Sequence, residues 1–228
     1  MHLILFQNVS KIYPNGVHAL QNVNLQINYG EFVLIIGESG AGKSTFNKLI
    51  TREEKATSGE IIVNNINLST LKERKIHLLR RSIGMVFQEF RLISKMTVYE
   101  NVSFAQESIG VQRNLIRNNV HQALENVGLS SKANRFPHEL SGGEQQRVAI
   151  ARAIVNEPKI ILADEPTGNL DMKTASEIMS LFEEINKRGT TIIMTTHNKE
   201  FIERTSKRII LIDNGSILRD HKEKVLTS

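Results

Sequence analysis

Two patterns of apolar residues divide the chain. Near the N-terminus Val23, Leu25 and Ile27 alternate with Asn24, Gln26 and Asn28, the period-two pattern of a strand with one buried face. Pro14-Asn15-Gly16 marks a turn just before it, so the opening predicts antiparallel strands. From Phe32 the alternation gives way to continuous apolar runs at Phe32–Ile36, Ile160–Ala163, Ile192–Met194 and Ile209–Ile212. Such runs suit strands buried on both faces of a parallel sheet. Helical patterns fall between them, as over Ala175–Lys187, where Ile178, Leu181, Phe182 and Ile185 share one stripe. Strands alternating with helices predict an α/β fold. The stretch 89–156 reads as mainly helical and interrupts the strand series, which predicts an inserted helical lobe. The organisation expected is one domain over residues 2–220, with two lobes and a tail at 221–228.

Composition narrows the class without changing that picture. The 228 residues are 40% hydrophobic and 23% charged, ordinary globular values that exclude wholesale disorder. The longest apolar run has five residues, Phe32–Ile36, where a membrane-spanning helix needs about 20. The opening Met1-His2-Leu3-Ile4-Leu5-Phe6 lacks the basic segment of a secretory signal. No cysteine is present, so disulfides and thiolate metal sites are excluded. The reading is a soluble, cytoplasmic globular unit. Lys and Arg number 29 against 24 Asp and Glu, a net charge of +5. That excess suits nucleic acid or an anionic membrane face, or serves solubility alone.

The candidate chemistry begins after the first continuous run. Gly37-Glu38-Ser39-Gly40-Ala41-Gly42-Lys43-Ser44 fits the P-loop pattern G-x-x-x-x-G-K-[ST], with a buried strand before it and a helix predicted over Thr45–Thr51. Glycines let the backbone curl so that successive N–H groups converge on phosphate oxygens at a helix N-terminus. Lys43 is then placed to reach the β- and γ-phosphates, and the Ser44 hydroxyl to ligate Mg²⁺. A P-loop also needs a metal-binding acid at the end of a second strand, and Ile160-Ile161-Leu162-Ala163-Asp164-Glu165 supplies one. Asp164 is the candidate to hold Mg²⁺ through water, and Glu165 to polarise the attacking water. A GTPase would read its base with Asn-Lys-x-Asp. Asn186-Lys187-Arg188-Gly189 and Asn198-Lys199-Glu200-Phe201 both lack the final Asp.

Leu140-Ser141-Gly142-Gly143-Glu144-Gln145 opens a helix predicted over Gln145–Val155 and forms a second anion-binding N-terminus. One chain cannot easily wrap both around a single phosphate chain, whereas two chains head to tail can. This string resembles the signature motif of the ABC-transporter ATPases, and the likeness runs from end to end. Tyr13 matches the aromatic that stacks on adenine, and Gln88 the Q-loop glutamine near the metal. Gly168-Asn169-Leu170-Asp171 matches the D-loop, and His197 the switch histidine at the γ-phosphate.

The resemblance implies an ATP-hydrolysing P-loop domain with a RecA-like parallel core, an antiparallel β lobe and a helical lobe. Its nucleotide site would take Tyr13, the loop Gly37–Ser44 with Thr45, the partner copy's Ser141, Gly142, Gly143 and Glu144, and Asp171. The catalytic roles would fall to Glu165, Gln88 and His197, and the Mg²⁺ ligands would be Ser44, Gln88 and Asp164. Glu38 departs from the usual loop, and a solvent-facing side chain is expected for it. The strings Arg52-Glu53-Glu54, Thr57-Ser58-Gly59-Glu60 and Val86-Phe87-Gln88-Glu89-Phe90-Arg91-Leu92 look like those of family members acting in cell division. Ile93-Ser94 where Leu-Pro is usual, and Met172 where Pro is common, depart from that pattern.

Such proteins sit on the cytoplasmic face of the membrane, pair with an integral membrane subunit and control a peptidoglycan hydrolase. The apolar positions Phe90, Leu92, Ile93, Met96 and Tyr99, beside Arg91 and Lys95, are the expected dock for that subunit, with one or two of them exposed, Phe90 and Ile93 first. An ATPase of a lipoprotein or solute exporter would share every catalytic motif. A DNA-repair ATPase of the same family would carry a coiled coil or zinc module between Gln88 and Ser141, which this short, cysteine-free stretch has no room for, so no specific nucleic acid is expected.

Overall fold

A computed structural model describes residues 2–221. In chain order the elements are β1 (His2–Ile12), β2 (His18–Asn28), β3 (Phe32–Ile36), α1 (Lys43–Ile50), β4 (Ser58–Val63), β5 (Ile66–Asn67), α2 (Ile76–Arg81), β6 (Ile83–Phe87), α3 (Val98–Glu107), α4 (Arg113–Asn126), α5 (Gly142–Ile154), β7 (Ile160–Asp164), α6 (Met172–Lys187), β8 (Thr191–Thr195), α7 (Lys199–Arg204), β9 (Arg208–Asp213) and β10 (Ser216–His221). The described residues form two compact units, one of residues 2–80 with 191–221 and one of residues 81–190. The boundaries differ from the 89–156 insertion because β6, β7 and α6 group with the helices. Of the tail expected at 221–228, residues 222–228 lie outside the described residues.

In the first unit β1 pairs antiparallel with β2 and β4, and β4 with β5. The alternation in β2 buries Val23, Leu25 and Ile27 and exposes Asn24 and Gln26. Phe6 of β1 stacks on Phe46 of α1, centroids 4.7 Å apart, so an apolar pair from the antiparallel sheet anchors the helix that follows the P-loop. β3 lies parallel to β8 and β9, while β10 returns antiparallel to β9. Arg208 ties this region together, donating to Glu31 at 2.6 Å, to both Asp220 oxygens at 2.7 Å and to the Gln26 carbonyl at 2.9 Å.

In the second unit β6 runs parallel to β7, from Ile83 opposite Ile160 to Phe87 opposite Asp164. Between these strands the described structure is helical, with α3, α4 and α5 and two single 3₁₀ turns. Their shared core includes Val98, Val102, Val120, Leu124, Val148 and Ile150, all essentially inaccessible. A Cβ on Gly84 would lie 2.6 Å from the Ala153 carbonyl oxygen, so α5 approaches β6 as closely as a glycine allows. α6 buries Ala175, Ile178, Met179, Leu181, Phe182 and Ile185 along its stripe.

Candidate active site

The P-loop follows β3 and leads into α1. The helix begins at Lys43, two residues before the Thr45 expected from sequence, so Lys43 and Ser44 sit on its first turn, where backbone N–H groups lack intrahelical acceptors. Gly40 and Gly42 have φ of 81° and 113°, a region that disfavours residues bearing a Cβ. Sterics close the loop as well. A Cβ on Gly42 would meet the Ala19 carbonyl oxygen at 2.4 Å, and one on Gly37 would meet the Ile212 carbonyl oxygen at 2.2 Å. The β9–β10 turn completes the fence, since Gly215 N–H donates to the Ala41 carbonyl at 3.0 Å. Asn214 and Gly215, both at positive φ, suit a two-residue hairpin, and sequence reading missed this turn as part of the site.

Lys43 Nζ donates to the carbonyls of Gly37 and Glu38, at 2.7 and 2.9 Å. Its charge therefore lies across the loop, among the curled glycines, where an anion would be held. The Glu38 side chain is exposed, and so is Ser44. Tyr13 is half-buried. Its hydroxyl lies 3.2 Å from Thr45 Oγ1, and Lys11 Nζ sits 4.8 Å from its ring centroid. His197 is exposed just beyond β8, whose pairing Thr196 extends by donating to the Ile35 carbonyl.

The second unit carries the other candidates. Glu165 follows the last residue of β7 and is held at φ 47°, a left-handed conformation costly for a residue with a side chain. The turn is closed by Gly168 N–H donating to the Glu165 carbonyl at 3.1 Å. Backbone strain at one carboxylate beside a strand end is what a catalytic acid or base often displays. Gln88 Nε2 donates to Asn169 Oδ1, and Asn169 Nδ2 donates to the Gln88 carbonyl, both at 3.2 Å. Gly168 makes room for that pair, because a Cβ there would lie 2.8 Å from Gln88 Nε2. Asn169, 81 positions from Gln88, was not singled out from sequence as its partner.

The signature string forms a capped helix start. α5 begins at Gly142, three residues ahead of the Gln145 expected, because Ser141 caps it. Ser141 Oγ accepts from Glu144 N–H, and Glu144 Oε2 accepts from Ser141 N–H at 3.0 Å, a reciprocal box. Lys132 pairs with the other Glu144 oxygen. That ammonium group and the Ser141 N–H hold the Glu144 carboxyl below its ordinary pKa. The N–H groups of Gly142 and Gly143, at the start of the helix, have no intrahelical acceptor. A Cβ on Gly143 would meet Thr174 Cγ2 at 2.3 Å, so this glycine lets α5 start against α6. Gln146, fully buried, donates to the Pro166 carbonyl at 2.7 Å and links the signature helix to the turn after Glu165. Asp171 is the cap of α6, accepting from Thr174 N–H at 3.0 Å and from its hydroxyl at 2.6 Å. Those two bonds hold its carboxyl below the ordinary value.

The segment after Gln88 is fixed from two sides. Arg152 of α5 donates to the carbonyls of Arg91 and Phe90 at 2.6 and 2.8 Å, and both of those residues are left-handed, with φ of 50° and 57°. Asn101, fully buried, accepts from Ile93 N–H and donates to the carbonyls of Ile93, Met96 and Thr97. Ile93 is 36% exposed, whereas Phe90, expected to be exposed, is half-buried because its ring lies against the start of α5, 3.8 Å from where a Cβ on Gly142 would stand. Leu92, Met96 and Tyr99 are half-buried too.

A P-loop nest on a parallel sheet, with a second capped anion-binding helix start in the same chain, defines the ABC-type ATPase class. The ABC transporter family model matches residues 20–168, and the chain belongs to that family. Among curated proteins it is 55% identical over 218 residues to the cell division ATP-binding protein FtsE of Bacillus subtilis, covering 96% of each chain. It is 46% identical over 215 residues to the FtsE of Escherichia coli K12, covering 94% of this chain and 97% of that one. Among solved structures, the dimeric post-hydrolysis state of the ATP-binding cassette MJ0796, bound to ADP and Pi, superposes with a TM-score of 0.85 at 40% identity, covering 96% and 98%. cbiO1 from Clostridium perfringens, part of the ABC transporter complex cbiONQ, gives 0.89 at 34%, covering 97% and 88%. Among the described residues no helix is long and apolar enough to cross a membrane.

Proposed function

We propose that this ABC ATPase works as a head-to-tail homodimer that closes on ATP and drives an integral membrane subunit of the FtsX kind. Through that subunit it would regulate a peptidoglycan hydrolase in cell division from the cytoplasmic face of the membrane. The observation that carries the dimer is the Ser141–Glu144 box, which builds a second anion-binding helix start on a chain that already has a P-loop. The cell-division assignment is supported by the FtsE relatives. Lys43 and the loop N–H groups would hold the β- and γ-phosphates, Tyr13 the adenine, and Ser141 with Gly142 and Gly143 the γ-phosphate of the partner copy's nucleotide. Ser44, Asp164 and Gln88 would hold Mg²⁺, whose bound charge neutralises the phosphate oxygens. A hydroxyl, a carboxylate and an amide suit this hard ion, which takes much of its shell from water and phosphate. Glu165 would orient and deprotonate the attacking water, and His197 would donate to the γ-phosphate. An ATPase of a lipoprotein- or solute-exporting transporter is the second reading; the likeness to cbiO1, part of an ABC transporter complex, supports a transporter role without giving its direction or cargo.

Glu165→Gln tests the assignment. The variant should bind ATP as the wild type does, lose turnover, and elute as an ATP-dependent dimer. Lys43→Ala should lose nucleotide affinity and dimerisation together. A Glu165→Gln protein that stays monomeric at saturating Mg-ATP would remove the basis for the sandwich.

A further inference from the structure

The segment from β5 to α2 gathers unused positive charge around a cavity. A cavity of about 250 Å³ is lined by Ile66 and Leu71 together with the cationic Lys72, Arg74 and Lys75. The loop beneath it is pinned locally, since Asn67 Oδ1 accepts from Ser69 N–H at 2.9 Å and from the Ser69 hydroxyl at 2.6 Å. From Leu71 through Arg80 the chain has four Lys or Arg residues and one acid. That acid, Glu73, is spoken for by Lys55 at 3.0 Å. Arg80 is engaged too, with Nε donating to the Thr51 carbonyl at 3.0 Å. Lys72, Arg74 and Lys75 are exposed, and among the described residues no carboxylate pairs with them. Leu78, close by in sequence on α2, is 49% exposed.

We infer that this face, centred on Lys72, Arg74, Lys75 and Leu78, is a docking surface for anionic phospholipid at the membrane. The charge is complementary to an acidic headgroup, and a cavity with both apolar and cationic lining suits a phosphate ester joined to a hydrocarbon. An exposed leucine beside such a cluster adds the apolar contact that interfacial binding uses. A single-stranded nucleic acid would instead draw on aromatic stacking platforms, and residues 66–80 contain no aromatic side chain other than His77. The inference goes beyond the ATPase reading and involves none of the residues assigned to nucleotide.

The full-length protein is floated with vesicles of equimolar phosphatidylglycerol and phosphatidylcholine, and with phosphatidylcholine alone. Each basic residue near an anionic surface contributes about fivefold in affinity. The triple variant Lys72→Glu, Arg74→Glu, Lys75→Glu should therefore bind the anionic vesicles at least about a hundredfold more weakly. Its ATP binding and thermal midpoint should stay at wild-type values, since all three side chains are exposed. Leu78→Ser should weaken vesicle binding without altering its salt dependence. The control Arg113→Glu, Arg117→Glu, Arg188→Glu changes the net charge equally at exposed positions elsewhere and should keep most of the binding. Equal losses in both triple variants, or none in the first, would overturn the site in favour of diffuse charge. Displacement from vesicles by soluble glycerol phosphate would make the ligand a free phosphate ester. Tighter binding to duplex DNA than to vesicles, lost in the first variant, would make the face a nucleic-acid surface.

Discussion

Arg152 offers the sharpest quantitative test of how the segment after Gln88 is held. Its guanidinium donates to two carbonyls, those of Phe90 and Arg91, and both residues sit in the left-handed region. Burial draws the guanidinium pKa below its ordinary value, yet an arginine stays charged across any practical pH. Hydrogen bonds to a charged group contribute about 1.5–3 kcal/mol each, so the pair is worth roughly 3–6 kcal/mol. Two left-handed residues cost about 1–2 kcal/mol each, which a released loop would recover. Arg152→Ala should therefore destabilise the fold by about 1–2 kcal/mol with the loop relaxed, and by up to about 6 kcal/mol if packing keeps it in place. With a urea slope near 2 kcal/mol/M, even the relaxed case lowers the midpoint by roughly 0.5–1 M. Arg152→Lys, able to satisfy one carbonyl, should fall between Ala and wild type. A functional readout tests the docking expected at Phe90 and Ile93: if a membrane subunit binds there, its co-purification should drop in Arg152→Ala while ATP affinity holds. A wild-type urea midpoint in Arg152→Ala would show that the two bonds do not support this segment, and the reasoning would fail.

Two other outcomes follow from contacts already described. Gly168→Ala places a methyl 2.8 Å from Gln88 Nε2, so the flexible glutamine should leave Asn169; turnover should fall about tenfold to a hundredfold with ATP affinity unchanged, measured by steady-state ATPase and nucleotide titration. Burial opposes the charge on Glu31, but bonds from Asn28 and Arg208 outweigh it and hold its pKa below 4.5; its stabilisation is therefore full above about that pH and lost as pH falls through the lower folded value, so the stability of Glu31→Gln should fall less steeply than wild type below pH 4.5 in acid titrations followed by circular dichroism.

Contiguous strings carried much of this protein in the open. The runs Phe32–Ile36 and Ile160–Ala163 became β3 and β7 because strands buried on both faces need no partner identity to announce them, only unbroken apolar sequence. The P-loop was legible for a related reason. Gly40 and Gly42 serve positive-φ positions, and such a backbone demand is written at the position where it acts. The helix starts at Lys43 and Gly142 were read two and three residues late, since P-loop and capping glycines look like loop until the structure shows where the first turn closes.

What tertiary structure decided is the set of contacts whose partners are far apart in sequence. Nothing local to Gln88 points to Asn169, and nothing local to Phe90 points to Arg152, 62 positions away. The strain at Glu165 is equally invisible, because an ordinary glutamate adopts φ 47° only when its surroundings over-determine the turn. Lys132 beside Glu144 is the same kind of finding, a charge pair made by bringing a 3₁₀ turn against a helix start. Sequence determines which backbone shapes and buried faces are affordable at each position. Which side chains then meet depends on packing across the whole chain, and so only the folded structure could decide it.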